Sequence, residues 1–471
     1  EMLRSLVGSE MCIRDRLLTG AFMLATGTSD VFAKKKEKVQ TEAKSDTVRT
    51  ASKKRNTQYP RLFKNKRVVT KKGLITIHKI DDKLYFEFPK SLLGREFLMG
   101  SSISATSDNT SGLVGQTMTT PLHIRFAIQE DQVYMQNVTP VSRMDVYSNQ
   151  SDISKAVAKS NITPDMESFK IAAYNMDSTA VVFEVTKFFL ADNKRLPLFD
   201  QNSSSLEDEK YGQLELKAVL KKNLSSIRNF YVFDDNLEIN LDMSFYQSLL
   251  ASKKEVRGGN VRVKAVYSML LLPEETMVWR LGDPRLGYTF TKKQKISTEK
   301  DGTAFSYLQH KWNLLPADEE AYRRGDLVAP RKPVVFYIDS DFPEAWKKAI
   351  KEGVNWWNEA FKMAGFKDAV QTADFPANDT TFYAGNLKYS CIRYVPVNLS
   401  KTQSKVWVDP RSGEIINGTI FVGHDIAKTI ASQRFVQTAQ VDERMRGIQL
   451  SEEVLLEGIR LYVAREVGHC L

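Results

Sequence analysis

Leu461 to Leu471 read L-Y-V-A-R-E-V-G-H-C-L, and the division of the rest of the chain follows from this stretch. Its spacing predicts a helix. Leu455, Ile459, Tyr462, Glu466 and His469 follow one another at intervals of four or three, so an apolar stripe runs into an acid and an imidazole on one face. Ser451 stands ahead of Glu452 and Glu453 as an N-cap followed by two negative charges in the first turn. Polar groups on a stripe that turns to a core need a partner or a task.

In the pattern H-E-x-x-H, two His at i and i+4 reach one Zn²⁺ and the intervening Glu serves as general base on the metal-bound water. Here Glu466 and His469 hold their places, and Arg465 stands at the first ligand position. An E-x-x-H pair also occurs by chance in ordinary amphipathic helices. The stretch V-A-R-E-V-G-H-C-L, however, resembles the A-H-E-V-G-H-C-L-G-L-x-H-N signature of bacterial zinc-dependent metalloproteases of the met-zincin type. That resemblance implies hydrolysis of peptide or protein substrates by zinc-activated water, with Glu466 as the catalytic base and His469 as a metal ligand. It places a third ligand six residues after His469, outside this sequence, so the chain is expected to be a fragment. A guanidinium is permanently charged and has no free lone pair, so Arg465 cannot replace imidazole. As written, the chain is not expected to hold Zn²⁺ tightly or to be active. The alternative reading is a catalytically inactive envelope binding protein that keeps the protease fold and has lost the metal through Arg465. A sequence error is the third, because His and Arg codons differ by one base.

The chain has 471 residues, 42% of them hydrophobic and 26% charged. This is the composition of a folded globular protein of more than one domain. No run of eighteen apolar residues occurs, so no membrane-spanning helix is expected. Residues 1–16 show neither periodicity nor cap logic and read as adaptor-derived. The apolar run L-L-T-G-A-F-M-L-A-T-G follows, and then T-S-D-V-F-A with Val31 and Ala33 at the −3 and −1 positions. Residues 1–33 are therefore set apart, with a signal peptide cleaved after Ala33 and a secreted, periplasmic or envelope location. Cys12 aside, Cys391 and Cys470 are too few and too far apart for a disulfide framework, and Cys470 is expected to pack.

The net charge of +10 is concentrated in residues 34–72, which hold 15 Lys or Arg against 3 Asp or Glu. Such a segment reads as a disordered basic linker. With neither motif nor fold behind it, it gives no support for nucleic-acid binding.

From Gly73 the pattern has period two. L-I-T-I-H-K-I, D-D-K and L-Y-F-E-F predict a hairpin, and similar alternation recurs through V-R-V-K-A-V-Y-S-M-L-L-L-P. Residues 73–312 are expected to form a β-rich domain, a sandwich or open barrel. K-G-L-I-T-I-H-K, S-L-L-G-R-E-F-L and M-V-W-R-L-G-D-P-R-L-G-Y resemble blocks in the amino-terminal domain of the same metalloproteases. Asp283 and Arg285 in the last block read as a structural ion pair.

Residues 313–332 read as a connection, and V-V-F-Y-I-D as a buried strand feeding a helix. Asp341 and Glu344 predict a capping box, Trp346, Ala349, Ile350, Gly353, Trp357, Ala360, Phe361 and Ala364 an apolar face, and Gly365 the stop. W-N-E-A-F-K-M-A-G-F and D-P-R-S-G-E-I again resemble the family, and the second also reads as a turn at Ser412 and Gly413. The expected architecture is thus α+β, with the β-rich domain followed over 333–471 by the first half of a zincin-like catalytic domain. An edge strand over Gly418, Thr419, Ile420, Phe421 and Val422 would pair with extended substrate, with an interior strand as the equal alternative. His78, His123 and His310 read as structural, and His424 is not assigned to the metal. Amino-terminal sequencing of exported protein is expected to begin at Lys34; an intact leader on cytoplasmic protein would count against export.

Overall fold

The computed structural model describes residues 58–471 apart from 110–111, 116, 140–143, 147–150, 200–205, 209–211, 297–302, 377–378, 380–381, 398–402 and 448. The adaptor-like residues, the leader and most of the expected linker lie outside the described residues. Those described belong to one compact unit running from Ala51 to Leu471. The boundary expected at 313–332 therefore separates two sheets within one body.

The alternating sequence builds one thirteen-stranded sheet, and every pairing in it is antiparallel. Strands β1 (Val68–Lys72), β2 (Thr76–Ile80) and β3 (Lys83–Pro89) start it, with Thr76 facing Glu87 across the predicted hairpin. Further along, β4 (Glu96–Thr106) pairs with one arm of a long hairpin, β5 (Asn236–Ala251) and β6 (Lys254–Leu271). The sheet curls back on itself. Leu74 N–H donates to Phe233 O at 2.6 Å and the Lys79 ammonium to Ile227 O at 2.7 Å, so the first hairpin meets the strand over 226–232. Inside the curl the alternate residues bury a Phe-rich core, with the Phe88 and Phe126 rings 4.8 Å apart.

This architecture overturns the α+β expectation and its zincin-like second half. Strands dominate the described residues, and the largest element is the antiparallel sheet. The physical reason lies in the length of the strands: β5 and β6 run for 16 and 18 residues, well past their alternating stretches. Ser252 and Lys253 turn the hairpin with φ of 48° and 68°, a conformation that side chains other than Gly seldom adopt.

The linker expected over 34–72 also ends early. Gln58–Phe63 form helix α1 and Val68–Lys72 form β1, because Tyr59 and Phe63 have apolar partners: the Phe63 ring packs edge-on against His78 at 5.0 Å. The adjacent Lys71 and Lys72 do not prevent this strand, since Lys71 lies over the Tyr231 ring at 4.3 Å while Lys72 is exposed.

A five-stranded sheet follows, in the order β8 (Val370–Asp374), β7 (Val334–Ile338), β9 (Ser390–Val395), β11 (Ile415–Gly423) and β10 (Gln403–Val408). It is parallel except for β10. Helices α2 (Glu344–Asn355), α3 (Trp357–Met363), α4 (Ile426–Thr438) and α5 (Glu452–Cys470) supply the residues that share its core. The capping box does not form: Pro343 occupies the N-cap without a side-chain bond, and Glu344 pairs with Lys347 at 2.8 Å. Trp346, Ala349, Ile350 and Gly353 are buried as expected, but Ala360 and Ala364 are exposed.

His310 accepts or donates a 2.9 Å bond with Thr291 Oγ1, and burial holds its pKa down at about 4. As pH falls below the ordinary value near 6.5, the unfolded chain takes up this proton first. The stability contribution is therefore complete above about pH 6.5 and lost as pH falls toward 4, by roughly 3 kcal/mol. Urea unfolding of the wild type and His310→Gln between about pH 7.5 and about pH 4.5 is expected to show a shallower loss in the variant; equal slopes would remove His310 as a cause.

Candidate functional site

Helix α5 begins where the sequence places it, with Ser451 Oγ accepting from Val454 N–H at 3.4 Å and Glu452 and Glu453 in the first turn. Two indoles hold its distal half: Trp357 Nε1 donates to Ala464 O and Trp312 Nε1 to Cys470 O, each at 2.7 Å. Arg460 pairs with Glu352 at 2.8 Å, and Glu457 with Arg434 at 3.2 Å. Where α2 crosses α5, a Cβ built on Gly353 would stand 2.5 Å from Arg460 O, so only Gly permits the approach. At the sheet, a Cβ on Gly418 would meet the Cys470 Cβ at 3.1 Å.

The buried stripe differs from the predicted one. It comprises Val454, Gly458, Ile459, Val463, Ala464, Glu466, Val467 and Cys470, while His469 is exposed. The helix is apolar on more than one side, and neighbours on three sides, α2, α4 and the sheet, decide which positions are covered. Glu466 is only 7% exposed, and among the described residues it makes no hydrogen bond or ion pair. Arg465 and His469, four apart and both exposed, lie on one side of the helix beside it. Burial, with the Glu466 charge adding to it, pushes the Cys470 thiol up to about 12; burial does the same at Cys391. Both are buried free thiols, which fits the packing role expected of Cys470.

The strand proposed to meet substrate is not an edge. β11 pairs with β9 on one side and β10 on the other, so the backbone groups of Gly418 to Val422 are already engaged in the sheet. Gly418 N–H, for example, donates to Ser390 Oγ at 3.0 Å. Gly418, Ile420 and Val422 face the helices, whereas Thr419 and Phe421 face the large sheet. The sequence has no signal for this, because β10 pairs from a segment of mixed polar and apolar residues.

The other imidazoles are held by protein groups. His78 bridges Thr70 Oγ1 at 2.8 Å and Glu87 at 2.9 Å, His123 bonds Glu96 at 2.8 Å, and His424 meets Tyr394 OH at 2.5 Å while stacking near Trp346. Arg285 grips Asp283 in the expected ion pair. Among the described residues no three His, Cys, Asp or Glu come together as a metal site. One exposed imidazole with a guanidinium at the neighbouring ligand position does not fit Zn²⁺, which takes three or four N, S or O ligands.

Sequence reading also passed over Glu238, Arg393 and Lys405, which line a cavity of about 450 Å³ between the two sheets. They belong to no motif, and only strand register brings them together.

Residues 115–317 match a family described as Domain of unknown function (DUF5117), and residues 57–106 match a second, Domain of unknown function (DUF5118). Both matches end before the five-stranded sheet and α5. No curated protein and no solved structure matches the chain.

Gly353→Ala is expected to push α2 from α5 and to cost about 2 kcal/mol through overpacking, read as a lower urea midpoint. An unchanged midpoint would show that α5 shifts freely.

Proposed function

We propose that this chain carries part of a zinc-dependent metallopeptidase site that acts on peptide or protein substrates outside the cytoplasm. The observation that carries this reading is Glu466: a residue only 7% exposed whose carboxylate has no hydrogen-bond or ion-pair partner among the described residues and reaches solvent only at its tip, one turn before an exposed His469. Burying an unpaired carboxylate is costly, and such groups concentrate where chemistry needs them. A base held in this way, at the margin of the surface, accepts a proton from a water that approaches beside His469. The likeness of V-A-R-E-V-G-H-C-L to the met-zincin signature gives the same residue the same role.

The residues present do not complete a metal site, so no step through zinc is assigned to this chain. Arg465 supports a second reading, a non-catalytic binding protein. Its exposed guanidinium lies one turn from His469 and repels a cation there.

Metal content after dialysis separates the two. The chain as written is expected to retain no stoichiometric Zn²⁺. Arg465→His creates an i, i+4 imidazole pair and is expected to raise Zn²⁺ affinity at least about tenfold. With a third His added six positions beyond His469, that variant should hydrolyse casein, and adding Glu466→Gln should keep the metal while lowering turnover by about 10² or more. Chelator-sensitive hydrolysis by the unaltered chain would overturn the account of Arg465. No gain of metal with Arg465→His would leave the binding protein as the better reading.

A further inference from the structure

The face of the five-stranded sheet turned away from α5 has a chemistry of its own. In register, Arg393 of β9 stands beside Phe421 of β11, and Thr419 of β11 beside Lys405 of β10. Alternate residues of neighbouring strands point to one face. Arg393, Phe421, Thr419, Lys405 and Trp407 accordingly form one wall of the 450 Å³ cavity. The opposite wall is a patch of the large sheet, where Glu238 of β5 lies across from Ser268 of β6, and Asn240 across from Val266. Tyr383 closes one side.

The polar groups of this cavity are unequally satisfied. Glu238, 4% exposed, has its Oε1 engaged by two donors, Tyr383 OH at 2.5 Å and Asn240 Nδ2 at 2.8 Å. The two cations have no such answer. The Lys405 ammonium lies 5.0 Å from the Trp407 ring centroid and the Arg393 guanidinium 5.8 Å from that of Phe421. Among the described residues neither makes a hydrogen bond or an ion pair. Burial pushes the Lys405 pKa down to about 8, although Glu238 pulls it the other way. An ammonium kept in such surroundings without an acceptor is a cost to the fold, and an incoming anion would relieve it.

We propose that this cavity binds a small aryl carboxylate, with Lys405 as the anchor of the carboxylate and Phe421, beside Tyr383, as the surface for the ring, while the buried Trp407 backs the Lys405 stem. Two cations against one carboxylate leave one positive charge in excess, which a monoanion cancels. A second negative charge would meet Glu238, and a cationic ligand would meet both Lys405 and Arg393. The volume lies within the range of small-molecule sites, which pair an apolar lining with a few placed polar groups. The carboxylate can come from a free acid or from the last residue of a peptide, and the chemistry is the same. The site lies on the opposite face of the sheet from Glu466 and does not depend on the peptidase reading.

Calorimetric titration of the 471-residue chain tests the assignment with phenylacetate, phenylacetamide, the N-acetylated tripeptide acetyl-Gly-Gly-Phe and its C-terminal amide. At least one carboxylate is expected to bind at one site per chain, and its neutral amide at least about tenfold more weakly. Binding of phenylacetate alone assigns the site to a free acid. Binding of acetyl-Gly-Gly-Phe that is lost on amidation assigns it to a peptide end. Lys405→Met nearly keeps the length of the side chain and removes a half-buried charge that has no acceptor, so its melting temperature should stay at or above that of the wild type while carboxylate binding falls at least about tenfold. Equal binding of acid and amide, undiminished binding by Lys405→Met, or no saturable binding of either carboxylate would overturn the proposal.

Discussion

Helix α5 lies closer to its neighbours than side chains would allow. Added Cβ atoms at Gly353, Gly458 and Gly468 would stand 2.5 Å from Arg460 O, 2.4 Å from Ile430 and 2.4 Å from the Trp357 ring. The position of the helix is thus set at backbone level, where a shift of a few tenths of an ångström is resisted by several contacts at once. The indoles of Trp312 and Trp357 add polar fixation, and the bond to Cys470 O satisfies a carbonyl at a helix end that has no partner within the helix. The setting of Glu466 and His469 inherits this rigidity. One is held inside and the other outside although only one turn separates them.

The five-stranded sheet carries two unrelated surfaces because side chains alternate along a strand. In β11, Gly418, Ile420 and Val422 serve the helices, while Thr419 and Phe421 serve the cavity against the large sheet. A one-residue slip of β11 would exchange the two sets, placing Thr419 where Gly418 meets Cys470 and Phe421 where Ile420 fills the core. The close fit at Gly418 excludes that register. Packing of the terminal helix and composition of the cavity are in this way fixed by the same strand.

Much of the local structure was legible in the sequence. The Thr76–Phe88 hairpin, the Ser451 cap of α5, the turn in D-P-R-S-G-E and the Asp283–Arg285 pair are all encoded within a few residues of one another. In the turn, for instance, Gly413 has a φ of 80° and donates to Asp409 O at 2.8 Å, and Asp409 Oδ1 accepts from Arg411 N–H at 2.8 Å. What sequence did not disclose was decided by distant segments. Whether β11 is an edge depends on β10. The buried stripe of α5 is chosen by three neighbours, not by the helix's own pattern. The predominance of the antiparallel sheet depends on strands far apart in sequence joining one curl, as Phe97 of β4 does with Leu271 of β6. The candidate base and ligand were visible as letters, whereas the isolation of Glu466 and the unanswered charges of Lys405 and Arg393 became visible only in three dimensions.

The slot that holds α5 has a consequence for the order in which the molecule assembles. Among the described residues, the groups that line it, from Trp312 and Gly353 through Trp357 and Gly418 to Ile430, precede the helix in the chain, so a ribosome delivers these walls first and their occupant afterwards. In the interval Phe336, Ile350 and Ile420 present an uncovered apolar groove to water. A nascent chain paused there carries the kind of surface that recruits chaperones or other nascent chains. The arrival of α5 closes the groove and buries Glu466 in the same event, so the candidate base reaches these surroundings only when α5 has docked.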